Sequence, residues 1–304
     1  MTEKTDWVSC YVFHNISFEK VLTELIKPLI EKLNKDQFIK QYFFIRYWEN
    51  GPHIRLRLLL IDNKFKNKIE KLIKFVIKRY FNLPENEAKY SIKFNDYIQE
   101  IERFGGNTAI TIAENHFQDS SNIVLNRIDN NYLEWDYSMA IVNAIQMHLI
   151  FAKQIINTRN EAELFFDFLY KNWIQHSVKL NKKNKITANE LIKVNQFFKS
   201  SYEKQKKNIN FITKKVWFDE QLEEVQLKDW SLYCKKLSRQ IKESNKIILP
   251  KWIILEADSK LSKEKQTLWI IYDSYIHMTN NRLGIHLRDE AFIAYMILRG
   301  LKKL

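Results

Sequence analysis

The sequence predicts an α+β protein: a ferredoxin-like β-α-β-β-α-β N-terminal half with an antiparallel sheet, packed on a largely helical C-terminal half. Three observations carry this prediction. Four short aromatic or β-branched runs occur in the first hundred residues, two of them alternating. Helical apolar spacing follows the first and the third of them. Beyond Gly106 the strand signals fade and helical periodicity runs to Leu301.

The elements read in order as follows. Trp7–His14 is a strand. Ser17 is the candidate N-cap of a helix over 18–33, in which Val21, Leu22, Leu25, Ile26, Leu29, Ile30 and Leu33 share one face. Pro28 lies inside that pattern and predicts a kink or a shortened helix. A second strand covers 38–48, and Glu49-Asn50-Gly51-Pro52 is a turn. The strand 54–61 sets Ile54, Leu56 and Leu58 against Arg55, Arg57 and Leu59. An amphipathic helix over 65–81 and a strand over 90–97 complete the unit. Further helices are predicted over 109–117, 135–157, 161–178, 189–205, 222–244, 263–278 and 288–301. Asn181–Lys185 reads as a basic loop, and the Pro250-containing stretch 247–256 stays open between loop, strand and buried turn. With no Ser/Gly/Pro-rich linker, the chain reads as one domain, 1–304, sheet-containing over 1–106 and helical over 107–304.

Composition narrows the function classes. The 304 residues hold four Pro and five Gly, which excludes collagen-like and low-complexity chains. No apolar run reaches the ~18 residues of a membrane span, and the N-terminus lacks the pattern of a secretory signal. Cys10 and Cys234 form neither a metal spacing nor a disulfide framework. The expectation is a cytoplasmic protein with no membrane partner, no metal and no cofactor. Lys and Arg outnumber Asp and Glu by 49 to 36, so an anionic partner is favoured: RNA, an acidic peptide or an acidic substrate. Only 11 of the 49 cations are Arg. In a Lys-rich chain, a guanidinium marks a place where planar, two-pronged recognition of an anion matters.

Five of those arginines and four of the five glycines fall in three segments. The first, 43–58, places Arg55 and Arg57 on one strand face roughly 7 Å apart, with Arg46 and His53 nearby. Two cations so placed repel unless an anion joins them; the competing reading is a solvated sheet face. The second, 96–106, sets Glu100 three residues before Arg103, neighbours if the segment is helical, ahead of Gly105-Gly106. The third, 274–284, contains His277, Asn281 and Arg282; His277 and Arg282 face one pocket if the helix ends near Asn280. Lone histidines are more often satisfied structural groups than catalysts. The other six keep that reading, with His53 the least settled. A phosphate-binding Gly loop, zinc spacing and a Gly-x-Ser-x-Gly elbow are absent. The pairs Glu223-Glu224 and Asp289-Glu290 read as ordinary helix surface. What remains is an anion site with a base.

Together, Phe44-Ile45-Arg46-Tyr47, Gly51-Pro52-His53-Ile54-Arg55-Leu56-Arg57, Tyr97-x-x-Glu100-x-x-Arg103-Phe104-Gly105-Gly106 and His277-Met278-x-x-Asn281-Arg282 resemble the blocks of one family. It is the C-terminal, glutamate-eliminating domain of class I lanthipeptide dehydratases, which also occurs as stand-alone proteins of thiopeptide-type bacteriocin biosynthesis. Phe104 departs from the family's usual Tyr, and Gln99 from its Pro or charged residue. The resemblance implies β-elimination of glutamate from glutamylated Ser or Thr of a precursor peptide, leaving dehydroalanine or dehydrobutyrine. It implies catalytic roles for Arg55, Arg57, Glu100, Arg103, His277 and Arg282; Arg46, His53 and Asn281 are the candidate substrate-binding residues. The implied partners are the precursor peptide (leader plus glutamylated core), a glutamylating dehydratase subunit and a second copy in a homodimer, with tRNA handled by the glutamylating protein. Two alternatives accompany it: a [4+2] cyclase forming the pyridine core of a thiopeptide, and a non-catalytic leader-peptide- or RNA-binding module using the excess positive charge.

Overall fold

The computed structural model describes residues 6–179, 187–218, 222–244 and 261–304. Its first part runs β1 (Trp7–His14), helix α1 (Phe18–Val21), a π-helical stretch (Leu22–Ile26), α2 (Lys27–Lys35), β2 (Ile39–Tyr47), β3 (His53–Leu60), α3 (Lys66–Phe81) and β4 (Tyr90–Phe94). The strands pair antiparallel in the order β2-β3-β1-β4. With β3 lying between β1 and β2, this is the predicted ferredoxin-like arrangement. Then follow α4 (Asn107–Asn130), α5 (Tyr137–Ile155), α6 (Arg159–Lys179), α7 (Ala188–Phe218), α8 (Val225–Glu243), α9 (Lys263–Leu283) and α10 (Leu287–Leu301).

Local chemistry explains the first elements. Ser17 accepts hydrogen bonds from the amides of Glu19 and Lys20 and so caps α1. Pro28 has no N–H to offer the carbonyl of Glu24. The helix widens into the π stretch just before it and resumes as α2 with Pro28 in the first turn.

Several boundaries differ from the sequence reading. Helix α4 runs well past Phe117, because Ile123, Val124, Leu125 and Ile128 extend its buried stripe. Helix α7 continues past residue 205 to Phe218 on the buried Ile209, Thr213 and Val216. Helix α9 passes Asn280 and ends only at Gly284, which takes the left-handed conformation at φ 85°. Residues 96–100 have no regular secondary structure and 101–105 form a turn, so the segment with Glu100 and Arg103 is not a helix. The basic loop 181–185 and the stretch 247–256 lie outside the described residues.

The chain divides into two units: Met1–Ile101 with Ala113–Trp135, and Glu102–Ile112 with Asp136–Leu304. In the first, the period-two alternation gives the sheet two unlike faces. Val8, Cys10, Val12, Phe44, Ile54, Leu56, Leu58 and Leu60 are inaccessible on one face. Helices α2 and α3 supply Leu29, Ile30, Leu33, Ile69, Ile73 and Ile77 to the same core. Burying each such aliphatic side chain contributes roughly 1.5–3 kcal/mol. The exposed edge of β2 is capped from α4: Gln118 Oε1 accepts from the Tyr42 amide and Ser121 Oγ from the Phe44 amide, both at 3.3 Å. Those amides would otherwise template further strand pairing.

In the second unit α5 is apolar nearly all round, with Ala144, Ile145, Met147, Leu149, Ile150 and Phe151 buried. Trp230 of α8 packs there and donates its indole N–H to the Met147 carbonyl at 2.8 Å. Helix α10 packs against α6 and α7. No helix among the described residues is long and apolar enough to cross a membrane.

Candidate active site

The first unit gathers Arg55, Arg57 and His53 on the sheet face opposite α2 and α3. Strand register makes this inevitable: Arg57 lies opposite Ser9 and Phe43, Arg55 opposite Tyr11 and Ile45, and His53 opposite Phe13 and Tyr47. The Arg55 guanidinium sits 3.4 Å from the Tyr47 ring centre and 4.7 Å from that of Tyr11. Arg57 lies 4.9 Å from the Tyr11 ring and 5.3 Å from the Tyr97 ring. It donates to Ser9 Oγ at 2.6 Å and to Tyr11 Oη at 3.2 Å, while its Nε is buried without a protein acceptor. Among the described residues, neither guanidinium has a carboxylate within ion-pair distance. Arg57 is only 5 % exposed, so this is not a solvated sheet face. Burial pulls its pKa down, Tyr11 opposes that and the neighbouring Arg55 adds to it.

His53 serves Arg55. Its Nδ1 bonds the Gly51 carbonyl at 2.8 Å, and its Nε2 accepts from Arg55 Nε at 3.1 Å. Burial lowers its pKa; the Gly51 bond opposes that and the two arginines add to it. The ring is therefore a neutral acceptor that orients a guanidinium. Arg46 points to the other sheet face. There it pairs with Glu19 at 2.5 Å and lies against Phe18, away from Arg55 and Arg57.

A second layer supports Arg57 through Tyr97. Its hydroxyl bonds Glu114, which also accepts from Gln99 Nε2 at 2.7 Å. Burial raises the Glu114 pKa against those two hydrogen bonds. Gln99, one departure from the family pattern, thus has a defined partner. Glu100 lies one residue further on.

The second unit holds His277, Arg103 and Arg282. The His277 Nδ1 lies 2.8 Å from Glu290 Oε1, across from α9 to α10. Glu290 is 1 % exposed, whereas the His277 side chain is 31 % exposed. The His277 Nε2 is neither buried nor bonded to a described residue. Burial lowers the imidazole pKa and Arg103 lowers it further, but Glu290 and then Asp273 outweigh them, so the net shift is upward. Asp273, one turn before His277, accepts from Trp173 Nε1 at 2.6 Å and Asn172 Nδ2 at 3.4 Å. Desolvation, and then the charge of Glu290, push its carboxyl up to about 6. Arg103 donates its Nε to Ser274 Oγ at 3.3 Å and belongs to this group. Phe104, the other departure, is buried and stacks on Tyr275 at 5.9 Å.

His277 and Arg282 do not face one pocket. The helix is continuous between them, and five residues turn a helix by ~500°, which leaves them roughly 140° apart. Arg282 is inaccessible and donates to the Met278 carbonyl at 2.8 Å. Asn281, beside it, is half-buried.

Sequence reasoning missed the groups that make these residues usable. Glu290, helix surface by its sequence pattern, is a buried partner of His277. Its i, i+3, i+4 relation to Ile293 and Ala294 on the buried stripe of α10 was the available signal. Tyr11 and Ser9 carry no motif, and Tyr47, though it ends the Phe44–Tyr47 block, gives no sign of its contact with Arg55; their places follow from strand register. His148 is a satisfied core group bonded to Asn280 Oδ1, whereas His14 is buried with its Nδ1 bonded to Ile16 O and its Nε2 without a partner. Among the described residues no His, Cys, Asp and Glu group has a metal-holding arrangement.

Comparison with known proteins identifies the family and the fold. A family model described as "Lantibiotic biosynthesis dehydratase C-term" matches residues 7–301. The nisin biosynthesis protein NisB of Lactococcus lactis subsp. lactis is 25 % identical over 265 residues, 84 % of this chain and 22 % of that protein. The chain spans less than a quarter of the length of the curated relatives it matches. Two solved structures share the fold. The pyridine synthase TbtD from thiomuracin biosynthesis has a TM-score of 0.69 at 10 % identity, over 98 % of both chains. The tRNA-dependent lantibiotic dehydratase MibB from Microbispora sp. 107891 has a TM-score of 0.61 at 14 % identity, over 99 % of this chain and 28 % of that one.

Proposed function

Because the chain belongs to the lantibiotic biosynthesis dehydratase C-terminal family, we propose that it eliminates glutamate from glutamylated Ser or Thr side chains of a precursor peptide. The observation that carries this reading is the pair Arg55 and Arg57: two ordered guanidinium groups among aromatic rings, with no carboxylate of the described residues to neutralise them. Such a face favours a small carboxylate-bearing group.

The chemistry follows from the residues. A base removes the Cα proton, negative charge collects on the adjacent carbonyl oxygen, and the Cβ–O bond breaks. Glutamate departs as a carboxylate and the Cα–Cβ double bond remains. His277 is the proton-transfer residue, acting through Nε2, with Arg103 placed to stabilise negative charge beside it. Arg55 and Arg57 hold the glutamyl carboxylates, with His53 and Ser9 orienting them. Glu100 answers the glutamyl ammonium or orients Arg103. Arg46, buried in its ion pair with Glu19 of α1, and Arg282, buried and bonded to the Met278 carbonyl, act as supports rather than as contacts to substrate, and Asn281 belongs with Arg282. No cofactor or metal enters this scheme. The partners are the precursor peptide and a glutamylating dehydratase subunit in the cytoplasm.

One observation favours a second reading, formation of a pyridine ring by cycloaddition of two dehydroalanines: the fold match to TbtD covers nearly all of both chains. A direct assay separates the two. Purified protein is given a synthetic glutamylated peptide and, separately, a peptide carrying two dehydroalanines. Elimination predicts loss of glutamate by mass from the first and no change in the second; the reverse pattern establishes the cyclase. Replacing His277 by Ala should slow glutamate release by about 10²–10⁴-fold. Release at the wild-type rate would remove His277 from the chemistry.

A further inference from the structure

We infer that Glu290 is the positioning residue of His277, accepting its Nδ1 proton so that Nε2 is the atom that exchanges a proton with substrate. The inference rests on the elimination reading for its role and on geometry for its content. Glu290 Oε1 lies 2.8 Å from Nδ1, and a carboxylate can only accept there. The carboxylate is inaccessible, fixed by the packing of α10, while the imidazole edge that bears Nε2 reaches solvent. A buried acid behind a half-exposed imidazole is the arrangement that selects one tautomer and steadies the charged form as it appears.

The groups that face this pair come from each neighbouring element. Asp273 stands one turn earlier on α9, held by Trp173 and Asn172 of α6. Arg103 approaches from the turn over 101–105 and opposes the carboxylates. Glu290 Oε2 is buried without a hydrogen bond from a described residue, so the negative charge is not spent on another donor. Two carboxyls and one guanidinium thus surround a single imidazole, with Glu290 alone in contact with its ring nitrogen.

Nitrogen-15 NMR of histidine-labelled protein tests this, with the His277 signals assigned by their loss in His277→Gln. Wild-type protein should show the neutral ring as the Nδ1–H tautomer. In Glu290→Gln, which keeps shape and an accepting oxygen but loses the charge, the His277 titration should fall to lower pH. The ascending limb of glutamate release against pH should move with it. The plateau rate should drop tenfold or more while KM stays within about twofold. A neutral Nε2–H tautomer in wild-type protein would overturn the inference, and this needs no variant to fold. So would an unchanged titration in a folded Glu290→Gln. If the tautomer and the shifted titration appear but no glutamate is released by any form, the pairing stands and the elimination reading falls.

Discussion

The two clusters solve opposite problems with charge. On the sheet, two cations are gathered with no carboxylate among the described residues to balance them, held instead by aromatic faces, a serine and a neutral imidazole. On α9 and α10, one imidazole is met by two acidic side chains, more negative charge than it needs. The first arrangement is missing an anion; the second stores protons. Keeping like charges together without counterions costs stability, so each imbalance indicates what the cluster is built to meet: a carboxylate at the sheet, a proton at the helices.

The sharpest way to break this comparison is to keep the charge and remove the shape. Arg57→Lys preserves a cation but cannot donate to Ser9 and Tyr11 while presenting a flat edge to substrate. It should lower kcat/KM for glutamate release by about 100-fold. Arg55→Lys, at a half-exposed position whose Nε bonds only His53, should cost about tenfold. Equal effects, read from initial rates on a glutamylated peptide, would mean that the cluster acts as bulk positive charge.

Much of the fold was legible beforehand, and the reason is periodicity. Arg55 and Arg57 had to share a face once 54–61 was read as a strand, and register then brought Tyr11 to them. The βαββαβ order alone limited the sheet to few topologies. Helix ends were harder. Only packing decides whether α4 stops at Phe117 or continues to Asn130, and no strong breaker separates the two. The relation of His277 to Arg282 hinged on such an end: with α9 reaching Leu283, one side chain faces Glu290 and the other enters the core. Glu290 was hidden because a buried carboxylate and a surface carboxylate look identical in sequence until the partner helix is placed.

The helical cluster also predicts a pH signature of its own. The carboxyl of Asp273 sits above its unfolded value of 3.8, at about 6. Between those values the folded state binds more protons than the unfolded one, so stability falls as pH rises from about 4 to 6. Asp273→Asn keeps an acceptor for Trp173 and removes that slope. The wild-type and variant curves should separate by up to about 3 kcal/mol above pH 6, the variant being the more stable. His277 titrates later. Its raised pKa contributes stability that is complete below 6.5 and is lost as pH climbs through the higher folded value. Urea denaturation at several pH values measures both; parallel curves would mean that Asp273 is already charged at no cost.

A smaller effect tests whether the helical cluster depends on how α10 is seated. Gly300 lies where α10 meets α7, and a methyl group there would fall 2.3 Å from Thr213 Oγ1 and 3.3 Å from Ile209 Cγ2. Thr213 is pinned by its own bond to the Ile209 carbonyl at 2.7 Å, so it yields only by giving that bond up. Gly300→Ala should therefore cost about 1–3 kcal/mol in urea denaturation, despite the better helix propensity of Ala. Adding Thr213→Ala should restore part of it, since the closest atom is then gone. Because Glu290 rides on the same helix, ten residues away, the His277 titration should move slightly in Gly300→Ala and return in the double variant. The arginine face is built from β1, β2 and β3 and shares no element with α10, so kcat/KM should fall through kcat alone. A rise in KM instead would show that the seating of α10 also governs the anion site, and the two clusters would have to be treated as one.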